Sequence, residues 1–209
     1  MTPHIIFDLG KVLIDWDPEL AFLHHFPDRP AVRDWMARVD FDTWNYAQDA
    51  GRSFEAGLAV ARAALGEDAV PLQDYLDRFP ATIADPVPGT WNIANDLKAR
   101  GHRMFAITNW AQDTWPAALR LYPRLTTLFE DIIVSGIEGM AKPDPAIWRL
   151  LLDRRGLAAP DCLFIDDNAA NVAAARALTL DAVQFTSAPA LIHALQQRGI
   201  ACTPPAAPV

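Results

Sequence analysis

The chain has 209 residues, 51% of them hydrophobic, and 18 Lys and Arg against 26 Asp and Glu give a formal net charge of -8. This is enough material for one compact domain with a smaller insertion. The acidic balance, with no Lys/Arg cluster interleaved with aromatics, argues against a nucleic-acid partner.

The first apolar run, His4-Ile5-Ile6-Phe7, ends in Asp8 and then in the turn residues Leu9-Gly10-Lys11, the pattern of a short buried strand closing on a carboxylate. From about Pro18 to Pro80 the apolar spacing is helical, carried by Leu20, Phe22, Leu23 and Phe26, by Trp35, Met36 and Val39, and later by Phe54, Leu58 and Ala61. Leu72, Tyr75, Leu76 and Phe79 extend the pattern, so a small helical bundle is expected. Asp85-Pro86-Val87-Pro88-Gly89 punctuates the chain and reads as the return linker from an insertion. The expected division is a core of residues 1–16 and 88–209 and a helical cap of residues 17–87.

Beyond the linker the pattern predicts helices at 90–100, 111–122, 144–155, 169–178 and 188–198, alternating with strands at 103–108, 131–135, 162–166 and 181–186. Pro143 and Pro145 suit the first turn of the third of these helices, where a missing amide hydrogen costs little. The Pro-rich end, 203–209, is expected to fray. Cys162 and Cys202 lack a metal-ligand spacing and read as free thiols. No apolar segment reaches transmembrane length and the start lacks a secretory pattern, so a cytoplasmic protein without a membrane partner is expected.

Each apolar run closes on polar groups: Met104-Phe105-Ala106-Ile107 on Thr108-Asn109, Ile132-Ile133-Val134 on Ser135-Gly136, and Leu163-Phe164-Ile165 on Asp166-Asp167-Asn168. Apolar runs alternating with amphipathic helices predict a parallel sheet covered on both faces. Ligands of such sheets bind outside the carboxyl ends of the strands. Asp8, Thr108, Asn109, Asp166 and Asp167 are therefore expected to meet in one crevice, although they are scattered in sequence.

Phe7-Asp8-Leu9-Gly10-Lys11-Val12, Ile107-Thr108-Asn109, Lys142-Pro143 and Phe164-Ile165-Asp166-Asp167-Asn168-Ala169-Ala170-Asn171 stand in the order of four motifs. On these the chain resembles the haloacid-dehalogenase-like hydrolase superfamily, most closely its small-cap phosphatases of the α-D-glucose-1-phosphate phosphatase type. The resemblance implies an α/β fold, a Rossmann-like three-layer core with an inserted α-helical cap. It implies a magnesium-dependent phosphatase of small phosphorylated metabolites, in which Asp8 attacks phosphorus and the aspartyl-phosphate is then hydrolysed. By the same resemblance Asp8, Asp167 and the Gly10 carbonyl hold the metal, Asp166 ligates it or orients one of its waters, Thr108 and Asn109 donate to the phosphoryl oxygens, and Lys142 offsets charge. Asn171 stands where relatives often carry an acid that orients the lysine. Oligomeric state is left open.

Gly10 departs from the family pattern, which usually places a general acid and base there. Asp15, or less so Asp17, follows the first strand closely and is the expected replacement. An enzyme short of that group would favour leaving oxygens that tolerate negative charge, such as those of anomeric sugar phosphates. Trp44, Asn45, Gln48 and Trp110 are weaker candidates for lining the pocket. Two alternatives remain from the sequence: a 2-haloacid dehalogenase, disfavoured by Asp167, and a noncatalytic phosphate-binding protein.

Overall fold

Five strands, β1 (His4–Phe7), β2 (Met104–Thr108), β3 (Asp131–Val134), β4 (Cys162–Asp166) and β5 (Asp181–Gln184), pair in parallel in the order β3-β2-β1-β4-β5. This computed structural model describes residues 2–203. Register puts Phe7 opposite Ala106 on one side and Ile165 on the other, so the chain after β1 emerges between the ends of β2 and β4. That is the point where the strand order reverses, the usual binding crevice of an open parallel sheet.

The two-residue side-chain period of the strands sorts the core into two layers. Ile5, Phe7, Ala106, Leu163 and Ile165 face one way, onto α5 (Thr90–Ala99) and α11 (Ala188–Gln197). Ile6, Phe105, Ile107, Ile133 and Phe164 face the other way, onto α9 (Pro145–Arg155) and α10 (Ala169–Ala177). A register slip of one residue would exchange these sets, so burial on both faces fixes the pairing. Between them α6 (Trp115–Leu121) and the single turns α7 (Leu125–Leu128) and α8 (Ser135–Glu138) complete the crossovers on either side of β3.

Four α-helices occupy the stretch between β1 and the return linker: α1 (Arg29–Arg38), α2 (Phe41–Asp49), α3 (Phe54–Leu65) and α4 (Tyr75–Thr82). Asp28 and Ser53 cap α1 and α3 by accepting from the backbone N–H of Ala31 and Ala56 at 2.9 and 3.3 Å. An aromatic cluster holds the four together, with Tyr75 stacked between Phe22 and Phe54 at centroid distances of 5.5 and 5.8 Å. The cluster continues into the rest of the molecule through Phe79, edge-on to Trp110 at 5.6 Å. Gly51, at φ +107°, lets the turn between α2 and α3 come down on the loop after α8, where an added Cβ would stand 3.0 Å from Gly139 Cα.

Several boundaries differ from expectation for local reasons. The helix expected from 111 begins at Trp115, because Pro116 is tolerated only in a first turn. Pro143 stays outside its helix, since Asp144 is the cap, accepting from Ala146 N–H at 2.9 Å, and only Pro145 enters the first turn. The segment Gly66–Asp74, with Pro71 inside it, is 3-10 rather than α-helical. Of the tail expected to fray, Thr203 donates its N–H to Asp96 at 2.9 Å, and 204–209 lie outside the described residues. Among the described residues no helix is long and apolar enough to cross a membrane.

Candidate active site

Asp8 is positioned by the sheet itself: its N–H donates to Ile165 O at 2.8 Å, continuing the ladder one residue beyond β1. Its carboxylate oxygen Oδ1 accepts from Leu9 N–H at 2.7 Å and from the Lys142 ammonium at 2.9 Å. Lys142 is 1% exposed. Its Nζ also donates to Asp166 Oδ2 at 2.7 Å and to Ile107 O at 2.9 Å, which engages all three of its donors.

The backbone of Lys142 is held with equal completeness. Its N–H donates to Asn109 Oδ1 at 2.8 Å, and Asn109 Nδ2 donates back to Lys142 O at 2.9 Å. Asp166 is fully buried, and its second oxygen accepts from Asn168 N–H at 2.8 Å. Asn171 Nδ2 lies 3.1 Å from both oxygens of Asp166. The polar chain therefore runs from Asn171 through Asp166 to Lys142 and ends on Asp8.

Three carboxylates and one ammonium leave this cluster with two surplus negative charges. Burial pushes the Asp8 carboxyl up to about 7; Lys142 pulls against that shift and Asp166 adds to it. Burial, and next the charge of Asp166, raises Asp167 as well. Burial works to neutralise Lys142, but Asp8 and Asp166 outweigh it and keep the ammonium charged. Carboxylate oxygens of Asp8, Asp166 and Asp167 lie within 4.8 Å of one another. An all-oxygen set with excess negative charge suits a hard divalent cation such as Mg²⁺, which needs few protein ligands and retains waters.

Thr108 ends β2 beside this cluster, 1% exposed, and its hydroxyl has no protein hydrogen-bond partner. An orphaned buried hydroxyl costs about 1–3 kcal/mol, so it fits a polar group of a ligand. The next two residues, Asn109 and Trp110, line a cavity of about 70 Å³ together with Gly10 on the sheet side and with Asn45, Asp49 and Phe79 on the helical side.

A family model for haloacid dehalogenase-like hydrolases matches residues 2–179. The chain belongs to this family. It is 25% identical over 198 residues to a sesquiterpene phosphatase of Aspergillus oryzae, covering 92% of this chain and 94% of that one. It is 34% identical over 192 residues to a phosphoglycolate phosphatase of Rhodospirillum rubrum, covering 85% and 76%. A drimenol cyclase of Aspergillus calidoustus is 44% identical over 202 residues, but the match spans 88% of this chain and only 34% of the cyclase. In fold it is similar to a haloacid-dehalogenase family enzyme of Bacteroides thetaiotaomicron solved with magnesium and inorganic phosphate, at a TM-score of 0.71, 18% identity and coverage of 90% and 96%.

Within this hydrolase, Asp8, Asp166 and Asp167 lie together at the strand ends, with Lys142 paired to the first two and Asn109 bonded to Lys142. Asn109 Oδ1 and one Nδ2 hydrogen are bound to the backbone of Lys142, so its amide positions the lysine, and the second Nδ2 hydrogen is left for a ligand oxygen. Asn171 reaches Lys142 only through Asp166. Asp15 is exposed and borders a separate surface depression with Lys11, Val87 and Ser187; it does not face the cavity at Gly10. Asp17 accepts from Glu19 N–H at 3.1 Å and pairs with Arg29 at 2.8 Å, which makes it a cap.

Trp44 and Gln48 are interior to the helical unit, with Trp44 Nε1 donating to Gly57 O at 2.9 Å, while Asn45 and Trp110 line the cavity. Asp49 was no candidate from the sequence, although it is four residues from Asn45 and so lies on the same helix face. Histidine spacing in sequence gives no cluster, yet His24 and His25 both reach Asp74 Oδ2, at 2.8 and 2.9 Å, on the exposed outer surface.

Proposed function

We infer that this hydrolase is a magnesium-dependent phosphatase acting on small phosphorylated metabolites through an aspartyl-phosphate on Asp8. The observation that carries this reading is the Lys142 ammonium held against both Asp8 and Asp166 beside the unpartnered Thr108 hydroxyl. A carboxylate is a weak nucleophile toward an anionic ester, so the phosphoryl charge must be neutralised and the attack held in line. Mg²⁺ bound at Asp8, Asp167 and the Gly10 carbonyl would supply charge neutralisation. Asp166, whose oxygens are occupied by Lys142, Asn168 and Asn171, would orient Lys142 and a metal-bound water.

In this scheme Thr108 Oγ1 donates to a phosphoryl oxygen and Lys142 stabilises charge on the phosphate and on Asp8. Magnesium and phosphate in the Bacteroides enzyme, and the phosphatase names of relatives, support the same chemistry. Among such metabolites, sugar phosphates with a stabilised anomeric leaving oxygen fit the glycine at position 10.

The test is a magnesium-dependent screen of phosphorylated metabolites with Asp8→Asn as the blank. Turnover that vanishes in the blank and with chelator is expected; turnover surviving in Asp8→Asn overturns the nucleophile. Halide release from a 2-haloacid without magnesium would replace the phosphatase reading with the dehalogenase one.

A further inference from the structure

Gly10 has an ordinary backbone conformation, outside the left-handed region, and a Cβ added to it would meet nothing within 4 Å. The fold therefore does not require glycine there. The site instead has open space where a side chain would extend from the strand toward the cavity. Across that cavity stands a single carboxylate among its lining residues, Asp49, at the last position of α2.

Asp49 is held from its own helix: Asn45 Nδ2 donates to its Oδ2 at 3.1 Å from one turn earlier on α2. Gly10, Asn109 and Trp110 line the same cavity, so Asp49 faces the loop that follows Thr108. The surrounding cavity wall is aromatic, including Phe79, Trp110 and Tyr75, whose hydroxyl accepts from Trp16 Nε1 at 3.2 Å.

We propose that Asp49 is the general acid and base of this enzyme, acting from the cap into the space that Gly10 leaves open. The assignment rests on the phosphatase reading above. In the first step an Asp8 oxygen bonds to phosphorus, the bond from phosphorus to the leaving oxygen breaks, and that oxygen takes the proton of the Asp49 carboxylic acid. In the second, Asp49 as carboxylate takes a proton from water as the water oxygen bonds to phosphorus. The bond from phosphorus to Asp8 then breaks, releasing inorganic phosphate and leaving Asp49 protonated for the next cycle.

The local electrostatics agree with a carboxyl that exchanges its proton. Burial pushes Asp49 up to about 7 against the Ala111 N–H, with Asp8 adding to the rise and Lys142 opposing it. Its place at a helix C-terminus also disfavours the anion, because the exposed carbonyls there carry partial negative charge. Such an acid is competent on both sides of neutrality, the range in which acid-base help is most effective.

The experiment uses the full chain with Mg²⁺ and measures the rate of phosphoenzyme formation by rapid quench. The donors are p-nitrophenyl phosphate, whose leaving group needs no proton, and an alkyl phosphate, whose leaving group does. In Asp49→Asn, phosphorylation by the alkyl ester should fall about a hundredfold to ten-thousandfold while phosphorylation by the nitrophenyl ester changes by less than about threefold. The nitrophenyl reaction should also show a stoichiometric burst followed by slow turnover, because hydrolysis has lost its base. Introducing Gly10→Asp into Asp49→Asn should restore alkyl ester phosphorylation, and this rescue also distinguishes lost chemistry from lost folding.

Equal losses with both esters would give Asp49 only a structural role and overturn the assignment, as would no loss with either. A wild-type chain that forms no phosphoenzyme from any ester overturns the phosphatase reading itself, a result separate from either of those.

Discussion

Thr108→Val should move stability and activity in opposite directions. Valine matches threonine in shape and replaces only the hydroxyl, which here is 1% exposed and bonded to nothing in the protein. Leaving a buried hydroxyl unpaired costs the folded state about 1–3 kcal/mol, so its removal should leave the free protein equally stable or more stable by about 1 kcal/mol. If the hydroxyl donates to a phosphoryl oxygen whose charge grows in the transition state, its loss should cost about 2.7–4 kcal/mol there, or roughly a hundredfold to a thousandfold in kcat. Urea denaturation without ligand measures the first quantity, and steady-state turnover of an active phosphate ester with Mg²⁺ measures the second. A variant destabilised by more than about 1 kcal/mol that retains its kcat would refute the reasoning, since the hydroxyl would then be serving the fold.

Three other perturbations test the same structure. Lys142→Met strands the buried Asp8 and Asp166 carboxylates that flank the ammonium at 2.9 and 2.7 Å, and should cost about 3–5 kcal/mol in urea denaturation; a variant as stable as wild type would remove the lysine from the centre of the cluster. Gly136→Ala would place a Cβ 2.6 Å from Gln112 N and 2.7 Å from Trp110 O, both backbone atoms. It should cost about 1–3 kcal/mol by overpacking, and it should raise KM by displacing the Trp110 wall of the cavity. Unchanged melting and KM would show that the loop gives way freely. Arg198 holds the Asp181 carboxyl below the usual range, so its contribution is present above the unfolded carboxylate pKa and is lost as pH falls through the lower folded value. Arg198→Ala should therefore destabilise at pH 7 by no more than about 1 kcal/mol, because the pair is largely solvent-exposed, and the difference should shrink toward pH 3 in thermal melts.

The sheet and the centre of the site are both written locally in the chain. Ile5-Ile6-Phe7, Phe105-Ala106-Ile107 and Leu163-Phe164-Ile165 are continuous apolar runs because both faces of their strands are covered. The polar residue that follows each run must emerge at the carboxyl edge wherever its neighbours lie, so Asp8, Thr108 and Asp166 are legible before any packing is known. Lys142 is legible only by its motif, since nothing in its spacing says that a lysine 24 residues before Asp166 will be buried against it.

What the tertiary structure decided is how those groups are shared out. Asn109 Oδ1 and one of its Nδ2 hydrogens pair with the backbone of Lys142, Asn171 Nδ2 pairs with Asp166, and neither choice has a local signal because each depends on which loop arrives from across the sheet. The direction of the acids near Gly10 was decided in the same way. Asp15 is near Asp8 in sequence, yet its N–H is bound to Asp85 O at 2.9 Å and its side chain stays outside the cavity. Asp49 is 41 positions from Asp8, but burial of Trp44 and Gln48 in the helical unit turns the face bearing Asn45 and Asp49 toward the cavity. A strand end fixes where its own side chain goes, whereas the orientation of an inserted helix is set by what it packs against.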